Sequence, residues 1–467
     1  MYELGQYING EHITSTTAAS QPIINPAFDQ ALGTLHFADE QQVQMAIDSS
    51  AQAFETWSRT SPLKRARILF NFKMLLEKHM DEIATLVTTE HGKTFEDAKG
   101  SVMRGIEVVE QNCTVGAQLK GGYSQAVGTD IDTYTMRQPL GICAGVSPFN
   151  FPVMVPIWMM IPAIACGNTF ILKPSEQTPS APIRLVELLK EAGLPNGVVN
   201  ILNGDKAIVD ALLHEPKIQA MTAVASTPVA EYIYQTSSNQ GKRSHTFGGA
   251  KNHCIVMPDA NLDYTAGAIA GAAFGAAGER CMALSVAVVI GDQTADELCE
   301  HLLAKMKDIK VGNGLEANMD MGPLVNKAHK EKVENYIQLG TEEGASLLAD
   351  GRNIYPDNPG YFVGPTLFDK VTESMRIYQE EIFGPVLCVI RAASFEEAVA
   401  LINRHQFGNG TAIFTHDGYA ARQFASEVQA GMVGINIPIP VPVAYHPFGG
   451  WKRSVFGDMN MHGEDSI

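Results

Sequence analysis

Apolar and polar positions along the chain fall into runs of distinct period. QYINGEHIT (6–14) alternates about Asn9-Gly10, a pair suited to a two-residue turn, and predicts a β-hairpin. From Pro62 to Lys93 the apolar residues Ile68, Leu69, Phe72, Leu75, Leu76, Ile83 and Leu86 recur at helical spacing, with Gly92 placed to end that helix. After Tyr134 the pattern changes to short apolar strands, GICAGVSP, NTFILKPSE, GVVNILNG and IQAMTAVAST, separated by helical segments. A second series begins around Cys254 and runs from HCIVMPD through LSVAVVIG and PVLCVIRA to GTAIFTHD. This alternation predicts parallel β-α-β units and an α/β fold. Two halves would then flank residues 244–251, and a site between them is the expectation. The longest apolar run, 151–167, contains Pro152, Pro156 and Pro162 and is short for a bilayer span. It reads as a buried helix with its prolines near the start.

Composition narrows the class without naming a chemistry. The 467 residues suffice for about two or three domains, and 45% hydrophobic with 18% charged residues is an ordinary globular balance. A formal net charge of −17 disfavours nucleic acid and acidic membrane surfaces as partners. The seven cysteines are scattered and include no C-x-x-C, which argues against a disulfide framework and for a reducing, cytoplasmic setting. His253-Cys254 has no second pair to complete a zinc site, so no metal is expected. The first residues carry neither a secretory nor a transit pattern.

Candidate chemistry concentrates in GAAGERCMALS (275–285). Cys281 stands beside Arg280, and a neighbouring cation favours the reactive thiolate; a packed interior thiol is the alternative. No G-x-G-x-x-G follows any strand. In its place IQAMTAVASTPVAEYI passes from strand to helix, with Thr227 as a cap and Pro228 in the first helical position. The free amides there would attract a phosphate, unless this is simply a well-capped helix. Lys173 and Glu176 lie at the carboxyl end of their strand, where ligands sit on parallel sheets. An acidic residue beside an adenosine ribose would repel a 2′-phosphate and so favours NAD over NADP.

Seven segments, in order, together resemble the aldehyde dehydrogenase superfamily: SPFNFP (147–152), ILKPSE (171–176), AST-P (225–228), FGGAKN (247–252), GERC (278–281), EEIFGPV (380–386) and PFGGWKRS (447–454). GERCMALS, STPVAEYI, GGAKNH and the INIPIPVPVAYHPFGGWKRS tail look most like its CoA-dependent methylmalonate-semialdehyde branch. The resemblance implies a Rossmann-type NAD-binding domain (1–116 and 137–248) and an α/β catalytic domain (249–445). It also implies small oligomerisation or bridging segments (117–136 and 446–467), the second short of a strand that helps join subunits, and a homodimer or homotetramer. Cys281 would be the nucleophile, forming a thiohemiacetal and, after hydride loss to nicotinamide, a thioester. Asn150 and the Cys281 backbone N–H would hold the oxyanion, with Phe149 beside the substrate. Glu381 and Phe383 would hold the nicotinamide ribose and ring, and Lys173, Glu176 and Ser226 the adenosine ribose and pyrophosphate. Arg104 and Arg280 would grip a substrate carboxylate bidentately.

Where hydrolytic relatives carry a glutamate before Gly-Gly, this chain has Thr246, and a threonine without an adjacent base accepts no proton near neutral pH. The thiol of CoA can attack as a thiolate without such help. The expected reaction is therefore NAD-dependent oxidation of malonate or methylmalonate semialdehyde, decarboxylation, and transfer to CoA as acetyl-CoA or propionyl-CoA. A hydrolytic dehydrogenase using another base is one alternative; a weakly catalytic binding protein of the same fold is another. Its basis is the phosphate turn, where Ala223 and Ala225 replace the branch's phenylalanine and glycine.

Overall fold

Strands Ile142–Val146 and Thr169–Lys173 are buried along their whole length, as strands covered by helices on both faces must be. With Val199–Ile201, Ile218–Val224 and Arg243–Phe247 they form a parallel set. The computed structural model describes residues 2–15, 19–355 and 358–467. Taking Ile142–Val146 as first and Arg243–Phe247 as fifth, the spatial order is 5-4-1-2-3, the doubly wound arrangement of nucleotide-binding folds. Antiparallel strands close both edges: the hairpin Gln6–Ile8 and Glu11–Ile13 on one side, Val455–Phe456 on the other. Asn9 and Gly10 turn that hairpin with φ of 53° and 80°, as a type I′ turn requires.

The pleat divides the core. Ile142, Ala144 and Val146 enter one cluster with Val43, Ile47, Leu212 and Ile233. Cys143 enters the other, with Leu69, Phe72, Ile106 and Ile157, because successive side chains point to opposite faces.

Two helical expectations are corrected. The segment 62–93 is two helices, Pro62–Lys78 and Met80–His91, with His79 between them at φ −103°, ψ 16°. At the break the His79 ring meets Glu82, three residues on, at 2.6 Å, and Arg184, from helix Ser180–Glu191, reaches the same Glu82 at 2.6 Å. Gly92 does end the second helix, at φ 99°. In the apolar run the helix is Met154–Ala165, and Pro162 lies inside it, not near its start. Pro162 has no N–H for the Trp158 carbonyl one turn earlier.

The second sheet holds Ser346–Ala349, Thr366–Asp369, Val386–Ala392, Leu284–Ile290, Asn252–Val256, Gly410–Phe414 and Met432–Ile435, in that order. All but the first run parallel. Arg243–Phe247 of the first sheet passes through four residues, 248–251, directly into Asn252–Val256 of the second. The carboxyl ends of one parallel set therefore face the amino ends of the other, and the predicted site falls at that junction. A hairpin, Tyr123–Gly128 with Ile131–Tyr134, stands apart, exposed at every residue.

Candidate active site

The run ahead of Cys281 is small because its backbone is bent hard. Ala276, Ala277 and Gly278 are consecutive left-handed residues, at φ 50°, 52° and 73°. That conformation costs an L-residue about 1–2 kcal/mol. A Cβ on Gly278 would run into the Gly384 carbonyl, so the turn packs directly on the IFGP segment. The turn delivers Glu279-Arg280-Cys281 to the junction, where side-chain amides fix it. Asn150 Nδ2 donates to the Glu279 carbonyl at 3.0 Å. Asn252 and Asn409, at the amino ends of two strands of the second sheet, donate to the Cys281 carbonyl at 2.9 and 3.0 Å. Neither asparagine is assigned a role from sequence, because nothing local marks an amide whose partner lies 29 or 128 residues away.

Cys281 opens in two directions. On one side it lines a cavity of about 260 Å³ together with Arg104, Arg280, Asp97, Phe151 and Trp158. On the other it lines a narrow cleft with Ala250, Glu381 and Phe383. Both predicted arginines thus share one cavity with the thiol. Arg280 Nη2 donates to Asp97 Oδ1 at 2.8 Å, and its guanidinium lies where a Cβ on Gly275 would be. Arg104 donates to Glu107 and to the Pro442 carbonyl. A larger cavity, about 590 Å³ and lined by Cys143, Cys166 and Met221, shares Trp158 but none of the predicted site residues.

Two assignments change. Phe149 does not line the arginine cavity; that place belongs to Phe151. Phe149 stacks on His91 at 5.8 Å and meets the Phe383 ring edge-on at 5.9 Å. Arg280 is also not the cation that acts on the thiol, since Asp97 engages it. Burial and then the Glu381 carboxylate push the Cys281 thiol up to about 11, opposed by its own backbone N–H and by Lys93.

Thr246 is fully buried and donates its hydroxyl to the Ala230 carbonyl, so it can neither activate water nor be reached by it. Glu381 accepts from the Ala250 N–H at 2.9 Å, and burial raises its pKa. Phe383 sits at φ 60° with its carbonyl accepting from the His329 ring at 2.6 Å.

On the first sheet, order reverses between Ile142–Val146 and Ile218–Val224, the point where doubly wound sheets bind nucleotides. Helix Thr227–Asn239 starts there, and its cap is Ser226, not Thr227, with no side-chain capping bond. Ser226 is exposed, whereas the Thr227 hydroxyl accepts from the Gly249 N–H at 2.9 Å. The helix amides therefore face outward for an anion. Across the switch point, the buried Ser147 hydroxyl has no hydrogen-bond partner among the described residues, and Lys173 pairs with Glu176 at 2.8 Å. Open amides, an orphaned hydroxyl and a carboxylate able to accept from ribose hydroxyls form a donor set that fits a dinucleotide. Ala223 is buried under that helix with Ile233, and Ala225 donates its N–H to the Phe247 carbonyl.

Comparison with known proteins agrees with this geometry. A malonate-semialdehyde dehydrogenase of Pseudomonas aeruginosa is 52% identical over 469 aligned residues, covering 100% of this chain and 94% of that protein. The crystal structure of methylmalonate-semialdehyde dehydrogenase from Oceanimonas doudoroffii superposes with a TM-score of 0.98 at 52% identity, covering 100% and 96%. A Sinorhizobium meliloti protein crystallised with NAD gives 0.99 at 50% identity, again covering 100% and 96%. Residues 12–467 match the aldehyde dehydrogenase family as a whole. The chain belongs to the aldehyde dehydrogenase family.

Proposed function

We propose that the protein oxidises malonate semialdehyde, or its methyl homologue, with NAD and passes the acyl group to CoA. The observation that carries this reading is the position of Cys281, open on one side to a cavity with two arginines and on the other to the cleft of Glu381 and Phe383. Arg104 and Arg280 hold the substrate carboxylate and set the aldehyde carbon against the sulfur. Attack by the thiolate forms a C–S bond, and Asn150 Nδ2 with the Cys281 N–H receives the oxyanion. NAD, when bound across Lys173, Glu176, Ser226, Glu381 and Phe383, supplies the hydride acceptor. The thioester left on Cys281 is an electron sink β to the carboxylate. Cleavage of the bond to that carboxylate releases carbon dioxide and leaves an enolate, which takes a proton. CoA thiolate then displaces the Cys281 sulfur. Thr246, sealed in the core, makes the thiol route the favoured one over hydrolysis.

NADH formation from malonate semialdehyde, followed with and without CoA, tests this. Turnover is expected to depend on CoA and to yield acetyl-CoA; free acid released at equal rate without CoA would favour the hydrolytic alternative. Arg104→Leu is expected to raise KM for carboxylated aldehydes about tenfold to a hundredfold, the worth of a charged hydrogen bond, and to spare uncharged ones. Equal loss on both would remove the clamp.

The same reading includes the division into a nucleotide-binding unit (1–116, 137–248) and a catalytic unit (249–445), supported by the two parallel sheets. A homodimer or homotetramer is supported by the hairpin within 117–136, which presents Tyr123, Val127, Ile131 and Tyr134 to solvent. Seven free cysteines support a cytoplasmic setting; among the described residues no helix is long and apolar enough to cross a membrane.

A further inference from the structure

Lys93 is fully buried, and its ammonium has no hydrogen-bond partner among the described residues. The nearest carboxylate oxygen, Asp97 Oδ2, is 3.9 Å away. Its other close neighbour is the ring of Phe151, whose centroid lies 4.1 Å from Nζ; Phe151 and Asp97 both line the cavity of Cys281. The backbone there is clamped, since a Cβ on Gly314 would strike the Lys93 carbonyl. Burying a lysine without satisfying its donors is costly, and a methionine would fill the space without that cost. Such groups cluster where chemistry needs them.

We propose that Lys93 promotes ionisation of the Cys281 sulfur, its ammonium favouring the thiolate through the field it exerts from behind the cavity wall. The charges around it leave it that task. Around Cys281 the Glu381 carboxylate opposes ionisation, while the cysteine's own backbone N–H, Lys93 and the Met282 N–H favour it, and Lys93 is the one cation among them. Facing Lys93 are Asp97, Arg280, Glu279 and Cys281. Arg280 is drawn to Asp97 by one Nη2 contact at 2.8 Å. Glu279 is fully buried between His91 at 3.5 Å and His329 at 3.6 Å, and burial favours the neutral form of all three. Burial also lowers Lys93 itself, to about 8. Its cation is therefore present at pH 7 and lost as pH rises through 8.

The inference rests on the proposed role of Cys281, but alkylation reports the sulfur's ionisation whether or not an aldehyde is oxidised, so the two can fail separately. Iodoacetamide modification of Cys281, followed by peptide mass spectrometry on the full chain, is compared for wild type, Lys93→Met and Lys93→Arg. At pH 7 the methionine variant is expected to react about tenfold more slowly, the equivalent of one pKa unit, and Lys93→Arg to restore most of the rate. The wild-type advantage should shrink above pH 8, whereas that of Lys93→Arg should persist, because a guanidinium does not titrate there. A merely structural lysine would not produce that difference. Equal rates at pH 7, or an advantage that does not change through pH 8, overturn the proposal. Should Lys93→Met fail to fold, wild type alone decides: its rate should rise less than proportionally with hydroxide around pH 8, and a rise of unit slope throughout overturns it.

Discussion

Cys281→Ala is expected to lower NADH formation by about 10⁴-fold or more while leaving NAD affinity within a factor of a few. Among the described residues, Cys281 is the nucleophilic residue that lines both the arginine cavity and the Glu381 cleft. Without it no thiohemiacetal forms, and the aldehyde can lose hydride only as its hydrate, with nothing to hold it in place. Thr246 offers no substitute, because its hydroxyl is sealed against the Ala230 carbonyl. The loop itself should survive the change: the Cys281 carbonyl is held by Asn252 and Asn409, and neither bond involves the sulfur. Absorbance of NADH and titration of NAD by protein fluorescence measure the two quantities. A variant that retained a tenth of wild-type turnover would place the nucleophile elsewhere.

Asn150→Ala is the second large effect, expected to reduce kcat by about 10²–10³, or about 3 kcal/mol of barrier. Asn150 is almost wholly buried, and its Nδ2 meets the Glu279 carbonyl at 3.0 Å, two residues from the sulfur. The amide has two N–H groups, so one can keep the loop while the other takes the oxygen of the attacked aldehyde. Losing the first leaves the Glu279 carbonyl without its donor, at about 1–3 kcal/mol of stability; losing the second costs rate. Separate readouts divide the two roles: thermal unfolding reports the structural bond, and kcat at saturating substrate reports the oxyanion. If the melting temperature falls while kcat stays within fivefold, Asn150 holds the loop and nothing more.

Both predictions concern residues that stood out in the sequence through SPFNFP and GERC, and much of the frame was legible in the same way. The hairpin at Asn9-Gly10, the end of a helix at Gly92 and all eight named strands follow from periodicity and turn chemistry. Each of these is set within a few residues, where burial on alternate faces or a positive φ is a local demand. The errors were also local in origin. An unbroken helical period hid the break at His79, where Glu82 is met by Arg184 from 102 residues away. Thr227 and Ser226 are both cap residues by type, and in the fold the Thr227 hydroxyl is occupied, accepting from the Gly249 N–H.

The chemistry of the site divides along the same line. Residue type and adjacency singled out the thiol beside Arg280, whereas Arg104 and the carboxylate missing at position 246 came from the resemblance to the aldehyde dehydrogenase superfamily, because a lone arginine or threonine says nothing of its task. Tertiary structure decided what those groups face. Adjacency in sequence places Arg280 beside Cys281, yet a turn with three left-handed residues aims the guanidinium at Asp97, 183 residues away. Phe149 was moved to Phe383 and Phe151 to the cavity by packing that no spacing records. Lys93 was invisible for the same reason. A field falls off with distance through space, and only the folded chain brings an ammonium at 93 to Phe151 and Asp97, in the wall of the cavity that Cys281 lines.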